Sequence, residues 1–335
     1  MKTAEYDFDL PEEAIALRPV KQRDGSRLLV LDRRGGLRHL VFSELPSLLD
    51  PGDLLILNDS KVLPAKLIGT KPDGDPFEMI LVQELEPGRW RILSKGRYSG
   101  PLTLAGRATA QIHRGRTAHF GDAAGLRGLI DRVGLMPLPP YIRRSPDDED
   151  RLRYQTVFAR HEGSIAAPTA GLHFTDDLLG RIEGLGVRIR TVTLHVGIGT
   201  FRPVKTDRVE DHRMDEESFS LDASLVAEIA SVKESGRRVI TVGTTATRTI
   251  EGLLSGRCRL RTDNGTISGT TDIFIHEGYR FRAVDGMITN FHLPCSTPLM
   301  LAAALAGREK LLESYRTAIT MGYRFFSYGD AMLVI

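Results

Sequence analysis

From about Lys66 to Arg153 the chain breaks into short runs that suit strands and little else, while the sequence on either side alternates strands with helices. Within that block, residues 77–82, 90–93 and 108–112 are apolar or alternating and are separated by Gly and Pro turns. Short strands at such spacing close most simply into a small β-barrel. Residues 136–142 follow as a proline-stiffened connection and 145–150 as an exposed acidic turn. Before the block, 27–31 and 37–41 flank the turn Arg33-Arg34-Gly35-Gly36, a hairpin signal, and 54–57 are continuously apolar, as in a strand buried on both faces. After it, 176–184 reads as a helix and 187–195 as a strand. A helix over 222–235 has Asp222 as N-cap and Leu225, Val226, Ile229 and Val232 as its apolar face. Residues 239–242 form a strand that passes through Gly243-Thr244-Thr245 into a helix from about 246 to 254. A hairpin turns at Asp263-Asn264-Gly265, a helix ends the 289–306 stretch, and 331–335 is a terminal core strand. Alternation of this kind is the pattern of an α/β domain. The expected fold is therefore a larger, discontinuous, barrel-like α/β domain (residues 1–65 and 155–335) with an inserted β-barrel domain (66–154).

A chain of 335 residues is long enough for two such cores. No apolar run approaches the ~18 residues of a membrane span. The start of the chain is acidic and lacks the apolar stretch of a signal peptide. Cys258 and Cys295 are far apart, and the nine histidines include no H-E-x-x-H or similar spacing, so no metal is expected. A reduced, cytoplasmic setting is the simplest reading. Net charge is only +2, but residues 88–120 hold Arg89, Arg91, Lys95, Arg97, Arg107, Arg114 and Arg116 without one acid. Trp90 and Tyr98 lie among them. A basic surface with aromatics suits a polyanion such as RNA, and a solvated, incidentally basic sheet face is the competing reading.

Candidate chemistry gathers in the flanking sequence. The segment 164–175 is small, polar and glycine-turned, and it places His173 just before a helix. The strand-like run from Thr191 repeats the idea with His195, then a glycine-turned stretch to Pro203. Imidazoles titrate near neutral pH, which makes both rings acid/base candidates, or else ordinary core histidines. Asp59, Asp272 and Asp330 each stand at the edge of an apolar strand, where a carboxylate faces a cleft or caps an element. Gly243 to Arg248 has the strand-loop-helix shape of an anion loop without a Walker lysine. Asn290, His292, Ser296 and Thr297 precede a helix as a capping or binding loop, and Ser327, Tyr328 and Asp330 cluster polar groups beside aromatics. Glu216 and Glu217 read as an exposed edge.

At these motifs the chain resembles the S-adenosylmethionine:tRNA ribosyltransferase-isomerase family of queuosine biosynthesis. The likeness runs end to end, through residues 6–11, 23–29, 52–65, 136–142, 154–156, 163–175, 195–204, 242–251, 271–275, 285–297 and 323–333. It departs at Asp215, where a second histidine commonly follows His212, and at Ser60, Lys61, Glu277 and Pro298. The resemblance implies transfer and isomerisation of the ribose of S-adenosylmethionine onto 7-aminomethyl-7-deazaguanine at the tRNA wobble position. Epoxyqueuosine forms, and adenine and methionine leave. It also implies a larger α/β domain carrying an inserted β-barrel. On that reading His173 or His195 handles a proton, with Asp59 and Asp330 as acid or orienter. Thr169, Thr244, Thr245, Asn290, His292, Ser327 and Tyr328 bind the substrate, and Arg248 meets the methionine carboxylate or a phosphate. Arg89, Arg91, Lys95, Arg97, Arg114 and Arg116 bind tRNA. S-adenosylmethionine is a consumed substrate, no cofactor is required, and the protein is a monomer.

Two other functions compete with this one. A methyltransferase using S-adenosylmethionine predicts a Gly-x-Gly loop after the first strand, and 27–31 has none. A non-catalytic RNA-binding module explains the basic block but not the small polar motifs outside it.

Overall fold

The apolar runs on both sides of the β-rich block gather into one mixed sheet. In chain order the elements begin with β1 (Arg27–Leu31), β2 (Leu37–Val41), β3 (Leu54–Asn58) and the short β4 (Ser60–Val62). Next come β5 (Lys66–Thr70), β6 (Pro76–Glu86), β7 (Arg89–Ser94), β8 (Gly100–Leu104), β9 (Ala108–His113) and β10 (Thr117–Phe120). Helices α1 (Ala123–Val133) and α2 (Asp148–Arg153), strand β11 (His161–Ser164), α3 (Asp176–Gly184) and β12 (Arg188–Leu194) follow. The chain closes with β13 (Glu217–Asp222), α4 (Ser224–Glu234), β14 (Val239–Val242), α5 (Gly243–Ser255), β15 (Arg259–Asp263), β16 (Thr266–Thr271), β17 (Gly286–Asn290), α6 (Thr297–Ala306), α7 (Arg308–Thr320) and β18 (Ala331–Val334). The structure is a computed structural model that describes residues 1–106, 108–197 and 204–335. Arg107 and most of the glycine-turned stretch up to Pro203 lie outside the described residues.

Two units result. One comprises Met1–Ser60, Thr156–His161 and Pro168–Ile335, the other Lys61–Gln155 and Glu162–Ala167. The chain thus leaves the larger unit at Ser60, ahead of the expected position 65, and returns through 156–168 in two steps.

The larger unit holds a ten-stranded sheet in the order β15-β16-β13-β12-β3-β14-β17-β18-β1-β2, with β15 and β2 as its edges, so it is an open sheet and not a closed barrel. β3 runs parallel to β12 and β14, and β14 parallel to β17. β18 is antiparallel to β17 and parallel to β1. Alternate residues Leu28, Val30, Leu55, Leu57, Ile240, Val242 and Leu333 enter one core with Phe42, with Phe174 just ahead of α3, and with Leu178 and Ile182 of α3. Thr241 points the other way and bonds Thr247 of α5 at 2.7 Å, which places α5 on the opposite face. The hairpin β15–β16 turns on Asn264 and Gly265, both at positive φ, as the Asp-Asn-Gly signal required.

Three local readings are corrected. Asp222 ends β13 and is not the N-cap of α4. That cap is Ala223, while the Asp222 carboxylate accepts from Ser224 N at 2.8 Å. The Gly243-Thr244-Thr245 loop is absent, because α5 starts directly at Gly243, whose φ of +88° turns strand into helix in one residue. The acidic stretch at 145–150 is not a turn. It contributes to α2, where Asp147 and Asp150 form a reciprocal capping box and Asp150, buried, takes Arg144 at 2.5 and 2.6 Å.

In the smaller unit six strands close into a barrel in the order β10-β7-β6-β5-β8-β9. Leu67, Met79, Ile92, Leu102, Ile112 and Phe120 fill it, together with Leu126, Leu129 and Ile130 of α1. That helix was not expected. Its apolar residues keep i, i+3, i+4 spacing, but two glycines dilute the signal.

Candidate active site

Parallel strands deliver their C-terminal ends to one edge of a sheet, where ligands of α/β proteins usually bind. Here β3, β12, β14 and β17 end at Asn58, Leu194, Val242 and Asn290, and each hands over one of the polar motifs. β1 and β18 start at that same edge, since Leu28 pairs with Ala331 and Ala331 with Asn290.

At the β3–β12 junction the polar groups interlock. Asn58 Oδ1 accepts from Leu194 N and Ser60 N at 3.0 and 3.1 Å, and its Nδ2 donates to Leu194 O and to Thr245 Oγ1 of α5 at 3.0 and 3.1 Å. Asn58 therefore fixes two strands and a helix start. Next to it, Asp59 is 2% exposed, and its Oδ1 accepts from Thr193 Oγ1 at 2.7 Å. Its Oδ2 lies 3.8 Å from Nε2 of His161, a ring that is 63% exposed. Arg160 N and His161 N both donate to Asp59 O, at 2.8 and 3.3 Å, so the backbone itself fixes His161 here. His195 follows β12 with its main-chain N bonded to Ser218 O at 3.0 Å. Its buried Nδ1 has no hydrogen-bond partner among the described residues. Burial pulls the His195 pKa below the ordinary imidazole value, nearby His161 adds to that, and Asp59 opposes it. A neutral ring with a free nitrogen beside a carboxylate is equipped to take a proton.

His173 sits differently. It is 4% exposed, Asn290 Nδ2 donates to its Nε2 at 3.1 Å, and its Nδ1 lies 2.7 Å from Ser26 Oγ. Asn290 Oδ1 accepts from Thr169 Oγ1 at 2.8 Å, which assigns the amide orientation. Burial drives the His173 pKa down to about 4, against the pull of Asp330. Both ring nitrogens are engaged, so the ring holds Thr169 and Asn290 in place and offers no free nitrogen. Asp330 is likewise saturated. Arg27 N, Nε and Nη2 donate to it at 3.0, 3.2 and 3.1 Å, and Arg324 N at 2.8 Å. Strands lie ~4.8 Å apart, so the four steps from β12 to β18 separate His195 from Asp330 by roughly 19 Å. The edge thus carries two polar clusters, Asp59–His195 and His173–Asn290–Asp330, with Thr245 between them.

The remaining expected residues divide. Thr244 lines a pocket with Arg248, and Thr297 lines it from α6. His292 Nε2 is 2.7 Å from Thr289 Oγ1, and burial lowers its pKa to about 3, so its ring is part of the support. Ser327 and Tyr328 are buried in the turn that Asp330 closes. Asp272 is exposed. Glu217 is not on an exposed edge: it is 4% exposed and paired with Arg248. Glu217 and His161 were missed. Both become visible only through neighbours distant in sequence.

In the barrel unit, Arg89 and Arg91 alternate outward along β7 while Ile92 faces the core. Lys95, Arg97, Arg114 and Arg116 are exposed on two turns tied together by Gly115 N to Tyr98 O, Arg114 N to Ser99 Oγ and Ser94 Oγ to Gly115 O. Trp90 and Tyr98 pack against the barrel core, so they are not free stacking platforms.

A buried carboxylate beside an imidazole, an arginine in a pocket and helix starts at one sheet edge are the features of an α/β enzyme, here with a small β-barrel whose turns are basic. The chain belongs to the family described as queuosine biosynthesis protein, which matches residues 3–334. It is 47% identical over 346 residues to the S-adenosylmethionine:tRNA ribosyltransferase-isomerase of Thermodesulfovibrio yellowstonii, with both chains covered in full. It is 48% identical over 350 residues to the enzyme of the same name from Heliobacterium modesticaldum, again covering 100% of each. The crystal structure of a Thermotoga maritima S-adenosylmethionine tRNA ribosyltransferase matches with a TM-score of 0.58 and 34% identity, over 99% of this chain and 100% of that one.

Proposed function

We propose that the protein transfers and isomerises the ribose of S-adenosylmethionine onto 7-aminomethyl-7-deazaguanine at the wobble position of tRNA. The products are epoxyqueuosine, adenine and methionine. The observation that carries this reading is end-to-end likeness to relatives of that name, at 47% and 48% identity. S-adenosylmethionine is consumed as a substrate, with no further cofactor or metal. Among the described residues no three His, Cys, Asp or Glu side chains gather as metal ligands would, and no helix is long and apolar enough to cross a membrane. The protein works as a monomer in the cytoplasm.

The chemistry asks for a base at the ribose 5′ carbon, whose proton the neighbouring sulfonium acidifies, and for a proton to leave with adenine. His195, neutral and with Nδ1 free, fits the first demand, and Asp59 orients it or returns the proton. Positioned groups of this kind contribute roughly 10²–10⁴-fold each. His173, Asn290 and Thr169 form a rigid polar wall for the nucleoside, with His292, Ser327, Tyr328 and Asp330 behind it. Thr244, Thr245 and Arg248 receive the methionyl end. Arg89, Arg91, Lys95, Arg97, Arg114 and Arg116 take the tRNA backbone.

The test is incubation with S-adenosylmethionine and tRNA carrying the aminomethyl-deazaguanine base. Release of adenine and methionine that depends on that base is expected. Methyl transfer to the RNA, or no turnover with correctly modified tRNA, overturns the reading.

A further inference from the structure

Arg248 and Glu217 form a buried ion pair that leaves part of the guanidinium over. Arg248 is 5% exposed. Its Nη1 donates to Glu217 Oε2, and its Nε donates to Ile273 O at 3.2 Å. Its Nη2 is buried with no partner among the described residues. Glu217 Oε1 in turn accepts from Gly197 N at 2.9 Å. The guanidinium is thus held rigidly, with one donor unspent, and an unmet buried donor is a costly feature unless a ligand meets it.

Arg248 lines a pocket that the starts of two helices also line, α6 with its own cap from Ser296 and α5 without one. Thr244, the second residue of α5, and Thr297, the first residue of α6, both line it. Val242 supplies no side-chain cap, so the first-turn N–H groups of α5 have none. Helix starts and a guanidinium together favour an anion. The carboxylate nearest to Arg248, Glu217, is already neutralised by it. The other walls, from Met214, Phe274 and Leu301, are apolar. A phosphodiester has no apolar stem to set against them, whereas an amino acid with a thioether or sulfonium chain does.

We infer that this pocket is the subsite for the α-carboxylate of the methionyl part of S-adenosylmethionine, bound by Arg248 Nη2 and the first turn of α5. Glu217 is a positioning residue that holds the guanidinium. The inference rests on the function proposed above and adds which group of the methionyl end the pocket reads, which donors read it and what Glu217 does.

Calorimetric titration of the full chain with S-adenosylmethionine and with its decarboxylated analogue tests it. The analogue keeps the sulfonium and the nucleoside and lacks only the carboxylate. It binds about 10- to 100-fold more weakly if a charge-assisted bond is lost. Arg248→Lys keeps the charge but not the fork. It weakens S-adenosylmethionine and brings the two ligands closer in affinity. Equal affinity of the wild-type protein for both ligands overturns the subsite. So does stronger competition by inorganic phosphate than by L-methionine, which would assign the pocket to an RNA phosphate. Adenine release from the modified tRNA is measured on the same preparation. If release occurs while the two ligands bind equally, only the subsite falls. If release fails, the functional reading falls with it. The wild-type comparison decides even where Arg248→Lys does not fold.

Discussion

Thr193 Oγ1 donates to Asp59 Oδ1 at 2.7 Å, binding the side-chain face of one parallel strand to the carboxylate that ends its neighbour. Side chains two apart on a strand share a face. His195 therefore follows Thr193 onto the side where Asp59 lies, and the exposed His161 reaches the same carboxylate from a third segment at 3.8 Å. The convergence depends on register: Asp59 N bonds Val192 O at 3.0 Å, and Asn58 clamps Leu194 from both sides. A shift of one residue would carry His195 to the other face.

If this pair moves the proton, His195→Gln and Asp59→Asn lower kcat by roughly 10²–10⁴-fold and leave S-adenosylmethionine affinity nearly unchanged. Single-turnover adenine release beside calorimetric binding separates the two quantities. An equal loss in both would make the residues binding groups. His161→Gln has a milder effect, expected mainly as a shift in the pH dependence of the rate.

His173 predicts a pH dependence of stability. Its pKa falls from the model-peptide value of 6.5 to about 4 because burial disfavours the charged ring. A depressed imidazole pKa contributes stability that is fully present above 6.5. As pH falls, the unfolded chain takes the proton first, and stability declines until the folded ring also titrates near 4. The loss across that window is about 3 kcal/mol. Urea unfolding of the wild-type protein at pH 7 and pH 5 is expected to show much of it, and His173→Gln to flatten the difference. Identical pH slopes in the two proteins would mean that the ring titrates normally.

The division between what the sequence disclosed and what it hid follows from the range of the interactions. Strands with continuous apolar runs, such as β3 and β14, and turns with Asn-Gly chemistry declare themselves within a few residues. The closed barrel was legible for the same reason. Helix α1 was not, because Gly125 and Gly128 lower its propensity and tertiary packing of Leu126, Leu129 and Ile130 supplies its stability. At the site, residue types pointed to His173, His195 and Asp59, but which imidazole keeps a free nitrogen depends on Ser26 and Asn290, far away in sequence. Glu217 looked exposed because its pairing with Arg248 spans β13 and α5.

Glu251 offers a test of the scaffold that supports the site. It is fully buried in α5, and its carboxylate accepts from Tyr279 Oη, Arg282 N, Ala283 N and Val284 N at 2.8 to 3.0 Å. Those bonds tie the segment before β17 to the helix that carries Thr244, Thr245 and Arg248. Glu251→Gln replaces one acceptor oxygen by an amide that cannot accept, which leaves buried N–H groups unmet at a cost of about 3 kcal/mol. The urea midpoint is expected to fall without any change in the denaturant slope. A change below ~0.5 kcal/mol would mean that the segment finds other acceptors.

The basic turns of the barrel make the last prediction. Lys95, Arg97, Arg114 and Arg116 project from two turns whose mutual hydrogen bonds use only main-chain atoms, Ser94 and Ser99. Their side chains are exposed, so charge reversal at Arg114 and Arg116 leaves the barrel folded. Each phosphate contact contributes about 0.7–0.9 to the slope of log K against log salt. Arg114→Glu with Arg116→Glu is therefore expected to make that slope shallower by more than one. The KM for tRNA should rise, while binding of S-adenosylmethionine alone stays as in the wild-type protein. Measuring tRNA affinity between about 50 and 200 mM salt resolves the change. An unaltered slope would take this end of the barrel out of the RNA contact and leave Arg89 and Arg91, on the outer face of β7, as the next surface to reverse.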